Sequence, residues 1–173
     1  MDCAIVYFKS FERSIKKALD VIGANELIKE KSAILIKPNL ITDLPHPITT
    51  APECCETIIQ YIQEHSKAKI IIAEGCGEAN RETSEVFNNL GFTTLAEKYG
   101  ISLVDLNYGT TKILKNKNCP VFPEMYLPEI AFSHYIISVP VLKAHSLAGM
   151  TGTLKNMMGF AQPAYYSGHY GVW

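Results

Sequence analysis

The segment Lys143-Ala-His-Ser-Leu-Ala-Gly-Met-Thr-Gly-Thr-Leu-Lys-Asn-Met-Met-Gly159 gathers two lysines, a histidine, hydroxyls and three glycines directly behind the apolar run Tyr135 to Leu142. These residue types suit the holding of an anion and the movement of a proton. Ammonium groups attract carboxylate or phosphate, and imidazole titrates near neutral pH. His145 and Lys143 are therefore the candidate catalytic groups. Thr151 is placed to cap a following helix whose first amides could meet an anion, with Gly152, Lys155 and Asn156 on the same turn. A nucleotide-phosphate loop is disfavoured, because its lysine directly follows the last glycine, whereas Lys155 comes three positions after Gly152.

Two further polar clusters end apolar runs: Lys37-Pro38-Asn39 and Glu74-Gly75-Cys76-Gly77. A cation at the end of a buried strand costs several kcal/mol unless an acid or an anionic ligand pairs with it. For Lys37 that partner is either Glu74 or a ligand. Lys37, Asn39, Glu74 and Gly75 join the candidate ligand-binding set, although Asn39 could instead close a turn after Pro38 and the glycines could simply turn the chain. Cys76 has no histidine beside it locally. His169, in the Tyr165-Tyr-Ser-Gly-His-Tyr170 stretch, is a candidate lid residue; His46 and His65 look incidental. With neither H-x-x-x-H nor H-E-x-x-H spacing, no self-contained metal site is expected.

The elements that must position these groups follow from periodicity. Apolar runs alternate with amphipathic ones, the pattern of βα units feeding a parallel sheet. Strands are expected at Ala4–Phe8, Ala33–Ile36, Lys69–Ala73, Ser102–Leu106 and Tyr135–Val139, and helices near Phe11–Ile22, Glu53–His65, Thr83–Leu90, Thr94–Tyr99 and Thr151–Met158. Tyr108 to Met125 is irregular and reads as a hairpin or an excursion at the sheet edge. The expected fold is one three-layer α/β domain over residues 1–173, a mainly parallel sheet flanked by helices. Its strand ends would bring all three polar clusters to one edge, where open α/β folds bind ligands.

Bulk properties narrow the partners. A net charge of -1 without long runs of one sign lacks the footprint of a nucleic-acid binder. No apolar run approaches the roughly 20 residues that span a bilayer, and Met1-Asp2-Cys3 does not open a secretory leader, so no membrane partner and a cytoplasmic location are expected. Five cysteines without a C-x-x-C pair argue against a disulfide framework and against a zinc or iron–sulfur site built by this chain alone.

At Ile36-Lys-Pro-Asn-Leu40, Thr49-Thr-Ala-Pro-Glu53, Ala73-Glu-Gly75 and Val139-Pro-Val-Leu-Lys-Ala-His145, followed by Met150 to Gly159, the chain closely resembles the prokaryotic family numbered 362 among domains of unknown function. Members are often fused to ferredoxin-like modules with two 4Fe-4S clusters. The resemblance thus implies an iron–sulfur association, although the cluster-binding cysteine runs are absent here and the cofactor stays unknown. It also implies that the C-terminal part of the family domain is missing, as in a truncated product, half of a split gene or a subunit completed by a second polypeptide or a homo-oligomer. More distantly, His145 to Lys155 is similar to the H-x-x-A-G-x-S-G-G-x-K segment of nickel-pincer lactate racemases. By that likeness His145 would act as acid and base, Lys155 would bond the pincer, and His169 falls near a metal-binding histidine. Those racemases carry a second catalytic histidine where this chain has Gly75-Cys76-Gly77.

Three functions remain open: a domain binding a small carboxylate or phosphate in redox or acid–base chemistry, a metal- or pincer-cofactor enzyme, and a non-catalytic scaffold completed by another chain.

Overall fold

The computed structural model describes residues 3–78 and 81–166. Its centre is a four-stranded parallel sheet in the order β3-β2-β1-β6, from β1 (Ala33–Pro38), β2 (Lys69–Glu74), β3 (Ser102–Asp105) and β6 (Tyr135–Val139). Ile34, Leu35 and Ile36 of β1 are fully buried, as an interior strand covered on both faces requires. Each such side chain contributes about 1.5–3 kcal/mol.

One face is covered by helices. Helix α1 (Phe11–Val21) starts at Ser10, whose hydroxyl accepts from the Arg13 amide at 3.2 Å. After Gly23, whose positive φ of 64° turns the chain, a short α2 (Ala24–Ile28) leads to β1. Helix α3 (Pro52–His65) opens on a proline at its first turn, where a missing N–H costs nothing. Helices α4 (Thr83–Asn89) and α5 (Phe92–Tyr99) carry the chain from β2 to β3. Ile59, Ile62, Val86 and Phe92 are buried with Ile34 and Ile36 in the larger core.

The connection from β3 to β6 covers the second face. An antiparallel hairpin of β4 (Thr111–Lys115) and β5 (Glu124–Pro128), then α6 (Ile130–Ser133), bring Leu127, Ile130 and Ala131 against Leu35, Ala73, Leu106 and Phe160. Beyond β6 come a small hairpin, β7 (Lys143–His145) with β8 (Gly149–Thr151), a single turn α7 (Thr153–Asn156), a 3₁₀ turn over Met157–Phe160, and α8 (Pro163–Tyr166).

The expected α/β class and parallel sheet are present, and the irregular 108–125 stretch supplies β4 of a hairpin registered with β5, the first of the two forms expected for it; two local differences remain. Cys3–Phe8 belongs to no sheet, and Ile5 and Tyr7 are 96 % and 92 % exposed. An apolar, β-branched and aromatic run suits a strand, but pairing needs an edge to join. The helix expected over Thr151–Met158 shrinks to one turn, because Thr151 is paired in β8 opposite Lys143.

Candidate functional site at the carboxyl edge of the sheet

Parallel registration brings the last residues of β1 and β2, and of β6 and β3, to one edge, with Pro38 opposite Val139 and Glu74 opposite Asp105. From β1 the chain proceeds to β2 on one side, while β6 lies on the other. The β1/β6 junction is thus the point where connections diverge, the crevice in which open α/β sheets place ligands.

The floor of this edge is a buried ion pair. Lys37 Nζ lies 2.6 Å from Glu74 Oε1, with the two side chains 1 % and 3 % exposed. Glu74 also accepts from the Gly75 amide at 2.9 Å and the Leu40 amide at 3.1 Å. Lys37 Nζ further donates to the Pro38 carbonyl at 3.2 Å and to Asn156 Oδ1 at 3.4 Å. Asn156 is itself buried, and its Nδ2 donates to Ser138 Oγ at 3.0 Å. Desolvating two charges is tolerable only with such complete pairing. Of the two partners the sequence allows for Lys37, Glu74 is the one in place.

Gly159 presses its backbone onto this pair: a Cβ there would fall 2.7 Å from Lys37 Nζ and closer still to Glu74 Oε1. Gly75 is held as tightly, since a Cβ would come within 2.8 Å of the Gly159 carbonyl. Both glycines are present for space. Cys76 is buried, its thiol donating to the Ile41 carbonyl at 3.2 Å, and burial raises its pKa. That environment suits a packed thiol and disfavours a thiolate nucleophile.

The rim is built differently. Thr50 Oγ1 donates to the Val139 carbonyl at 2.8 Å and accepts from the Asn39 amide at 2.8 Å, stitching the β1 loop to the end of β6. Asn39 Oδ1 accepts from Lys143 Nζ at 2.7 Å, and the Ile48 carbonyl accepts from the same ammonium at 2.6 Å. Lys143 is half-buried, and its pKa is lowered, first by desolvation and second by the charge of Lys155. Among the described residues neither lysine forms an ion pair.

His145 lies two residues beyond Lys143 on β7, so both side chains share a face of the hairpin. Its Nδ1 accepts from the amides of Leu147 and Ala148 at 3.2 and 3.1 Å. Gly152 occupies the cap position of α7 without a side-chain cap bond, and Thr151 stands one residue earlier, in β8. The helix is too short for its amides to form an anion site, so the cations are the feature that could attract a ligand.

The residues expected at the site thus fall into two groups. Lys37, Glu74, Gly75 and Asn156 form the closed floor, and Asn39, Lys143, His145, Thr151, Gly152 and Lys155 the half-open rim; His169 lies outside the described residues. Thr50, Ser138 and Gly159 were not singled out. For Thr50 the available signal was a hydroxyl pair separated by one alanine from a helix-starting proline, but the carbonyl it binds lies 89 residues away.

Among the described residues no ligand set for an iron–sulfur cluster or a metal ion is assembled. No three of His, Cys, Asp and Glu converge among the described residues, and Cys55 and Cys76 are buried. A cleft of about 440 Å³ lies between Ile5–Tyr7 and the Arg13–Lys17 stretch of α1, and no strand-end residue lines it. It is shaped by a segment outside the sheet, so the convergent polar groups are the better guide to chemistry. No described helix is long and apolar enough to cross a membrane.

The chain belongs to the family described as Domain of unknown function (DUF362), whose family model matches residues 34–171. No curated protein and no solved structure matches it. The matched span includes every residue of the floor and rim.

Proposed function

We propose that this DUF362 domain binds a small carboxylate or phosphate at the β1/β6 junction, with Lys143 and Lys155 supplying the charge. The observation that carries the reading is Lys143: a half-buried cation held by two neutral acceptors, Asn39 Oδ1 and the Ile48 carbonyl, with a second cation close enough to lower its pKa. An uncompensated pair of like charges beside a buried floor costs free energy that an arriving anion recovers. The contrast with Lys37 is informative, because that cation already has its carboxylate. The two lysines therefore divide the work, one stabilising the strand ends and the other facing the ligand. Redox or acid–base chemistry at this site, in the cytoplasm, would draw any iron–sulfur cluster from a partner. Isothermal titration with inorganic phosphate and malonate tests the reading. Binding to wild type that is lost in Lys155→Ala supports it, whereas equal affinity in that variant removes Lys155 from the site.

A second reading, completion by another polypeptide, is favoured by β6. Among the described residues this strand pairs only with β1, and its Tyr135-Ile-Ile-Ser-Val139 sequence carries none of the charges or prolines that protect natural edges. Nearby in sequence, Leu142, Leu147 and Leu154 are 74 %, 90 % and 90 % exposed. We propose that a strand from a second copy of the chain pairs there. Sedimentation should then report a concentration-dependent dimer that Ile137→Lys weakens; a monomer at every concentration would count against it.

A further inference from the structure

We infer that His145 serves this site as a fixed hydrogen-bond donor through Nε2–H, and that the site accordingly selects oxygen-rich dianions over monoanions. The inference rests on the anion-binding reading above and adds the tautomer, the role of the imidazole and the charge of the ligand.

The argument starts from the β7–β8 turn. A backbone amide can only donate, so the amides of Leu147 and Ala148, at 3.2 and 3.1 Å, both require a lone pair on His145 Nδ1. A neutral imidazole with a bare Nδ1 carries its proton on Nε2. Nδ1 faces back into its own turn, so Nε2, across the ring, is the nitrogen left for a ligand. A nitrogen already bearing a proton cannot take one from a substrate. In the resting site His145 is thus a donor, and a role as general base would require the turn to surrender both amide bonds.

Charge balance gives the ligand class. The side chains offered at the rim are the ammonium of Lys143, the ammonium of Lys155 and the neutral Nε2–H of His145; the acceptors beside Lys143, Asn39 Oδ1 and the Ile48 carbonyl, are both occupied by its ammonium. The hairpin register sets the Thr151 side chain opposite Lys143, adding a hydroxyl that can also donate. A set of donors with two positive charges and no carboxylate matches a ligand with clustered acceptor oxygens and two negative charges, a phosphate or a short dicarboxylate.

The test separates the tautomer from the binding. Long-range proton–nitrogen correlation on the full chain labelled with nitrogen-15 histidine, at pH 8, should show His145 with a protonated Nε2 and a bare Nδ1; a protonated Nδ1 overturns the inference. Inorganic phosphate and malonate should each bind at least tenfold more tightly than acetate, and equal affinities overturn the dianion assignment; comparing the two dianions distinguishes a phosphate from a dicarboxylate site. In His145→Asn the amide oxygen can still accept from the turn while the Nε2 donor is lost. Phosphate affinity should fall about tenfold or more, the size expected for a hydrogen bond to a charged group, with the melting temperature unchanged. Undiminished phosphate binding in that variant overturns the donor role. If wild type binds none of the three anions, the anion-binding reading itself fails, whichever tautomer the spectrum shows.

Discussion

Asn156 and Lys37 hold each other at both ends: Asn156 Nδ2 donates to the Lys37 carbonyl at 3.1 Å, and Lys37 Nζ donates back to Asn156 Oδ1 at 3.4 Å. One side chain from α7 thereby fixes both the backbone and the charge at the end of β1. Replacing Asn156 by Ala leaves the Lys37 carbonyl without this donor, and the expected loss is about 1–3 kcal/mol. Urea denaturation measures it, and a change within experimental error would show that water takes the amide's place.

The ion pair beneath it predicts a strong asymmetry between single and double substitution. Glu74→Leu strands a buried ammonium and should destabilise by about 3–5 kcal/mol. Lys37→Met combined with Glu74→Leu removes both charges and should cost clearly less than the two single changes added together. A strictly additive double-mutant cycle would mean that the pair is not coupled.

Gly159→Ala forces a methyl group into Lys37 and Glu74, and an overpacked site of this kind costs about 1–3 kcal/mol. Gly152→Ala is the control, since a Cβ there meets only Leu142, at 3.8 Å. Thermal melts should therefore separate two glycines seven residues apart; equal melting temperatures would refute the close contact.

The lowered pKa of Lys143 has a definite sign in stability. In the unfolded chain this lysine holds its proton to a higher pH than in the fold, so between the two values the unfolded state binds more protons and stability rises with pH. The Lys143 contribution is thus least favourable at neutral pH, where the group is charged in both states, and improves as pH climbs from the lowered folded value toward the ordinary lysine value. The difference in stability between wild type and Lys143→Met should follow that trend and flatten when phosphate is present. A difference that stays level across the alkaline range would contradict the assignment.

Much of the frame is legible in the residues. The strands at Ala33–Pro38 and Lys69–Glu74 are built on the continuous apolar runs Ala33–Ile36 and Ile70–Ala73, and α3 begins at a proline that can only start it. The strand ends could be expected to meet because parallel pairing leaves no other place for them. Less accessible was the division of labour among the lysines. Lys37 and Lys143 both follow apolar strands, yet one meets a carboxylate 37 residues away and the other an amide oxygen 104 residues back in the chain. Such pairings depend on the register between strands, which local periodicity does not encode. The same limit applies to Thr151, which reads as a helix cap until its pairing in β8 is known. The strand expected at Ala4–Phe8 failed for the complementary reason: its apolar, β-branched and aromatic composition suits a strand, but an edge to receive it is not a local property.

The two acceptors on Lys143 have a consequence for how a ligand would be met. An ammonium carries three protons, and Asn39 Oδ1 and the Ile48 carbonyl occupy two of them. The third is then aimed in a direction fixed by the tetrahedral geometry of the nitrogen, like the free arm of a tripod whose other feet are planted. A lysine normally sacrifices considerable rotamer freedom when it grips a ligand, whereas this one has surrendered that freedom on folding. In the proposed site Lys155, without such struts among the described residues, would follow the ligand as it arrives, so that one cation would define where the first oxygen sits and the other would adapt to whatever is attached to it.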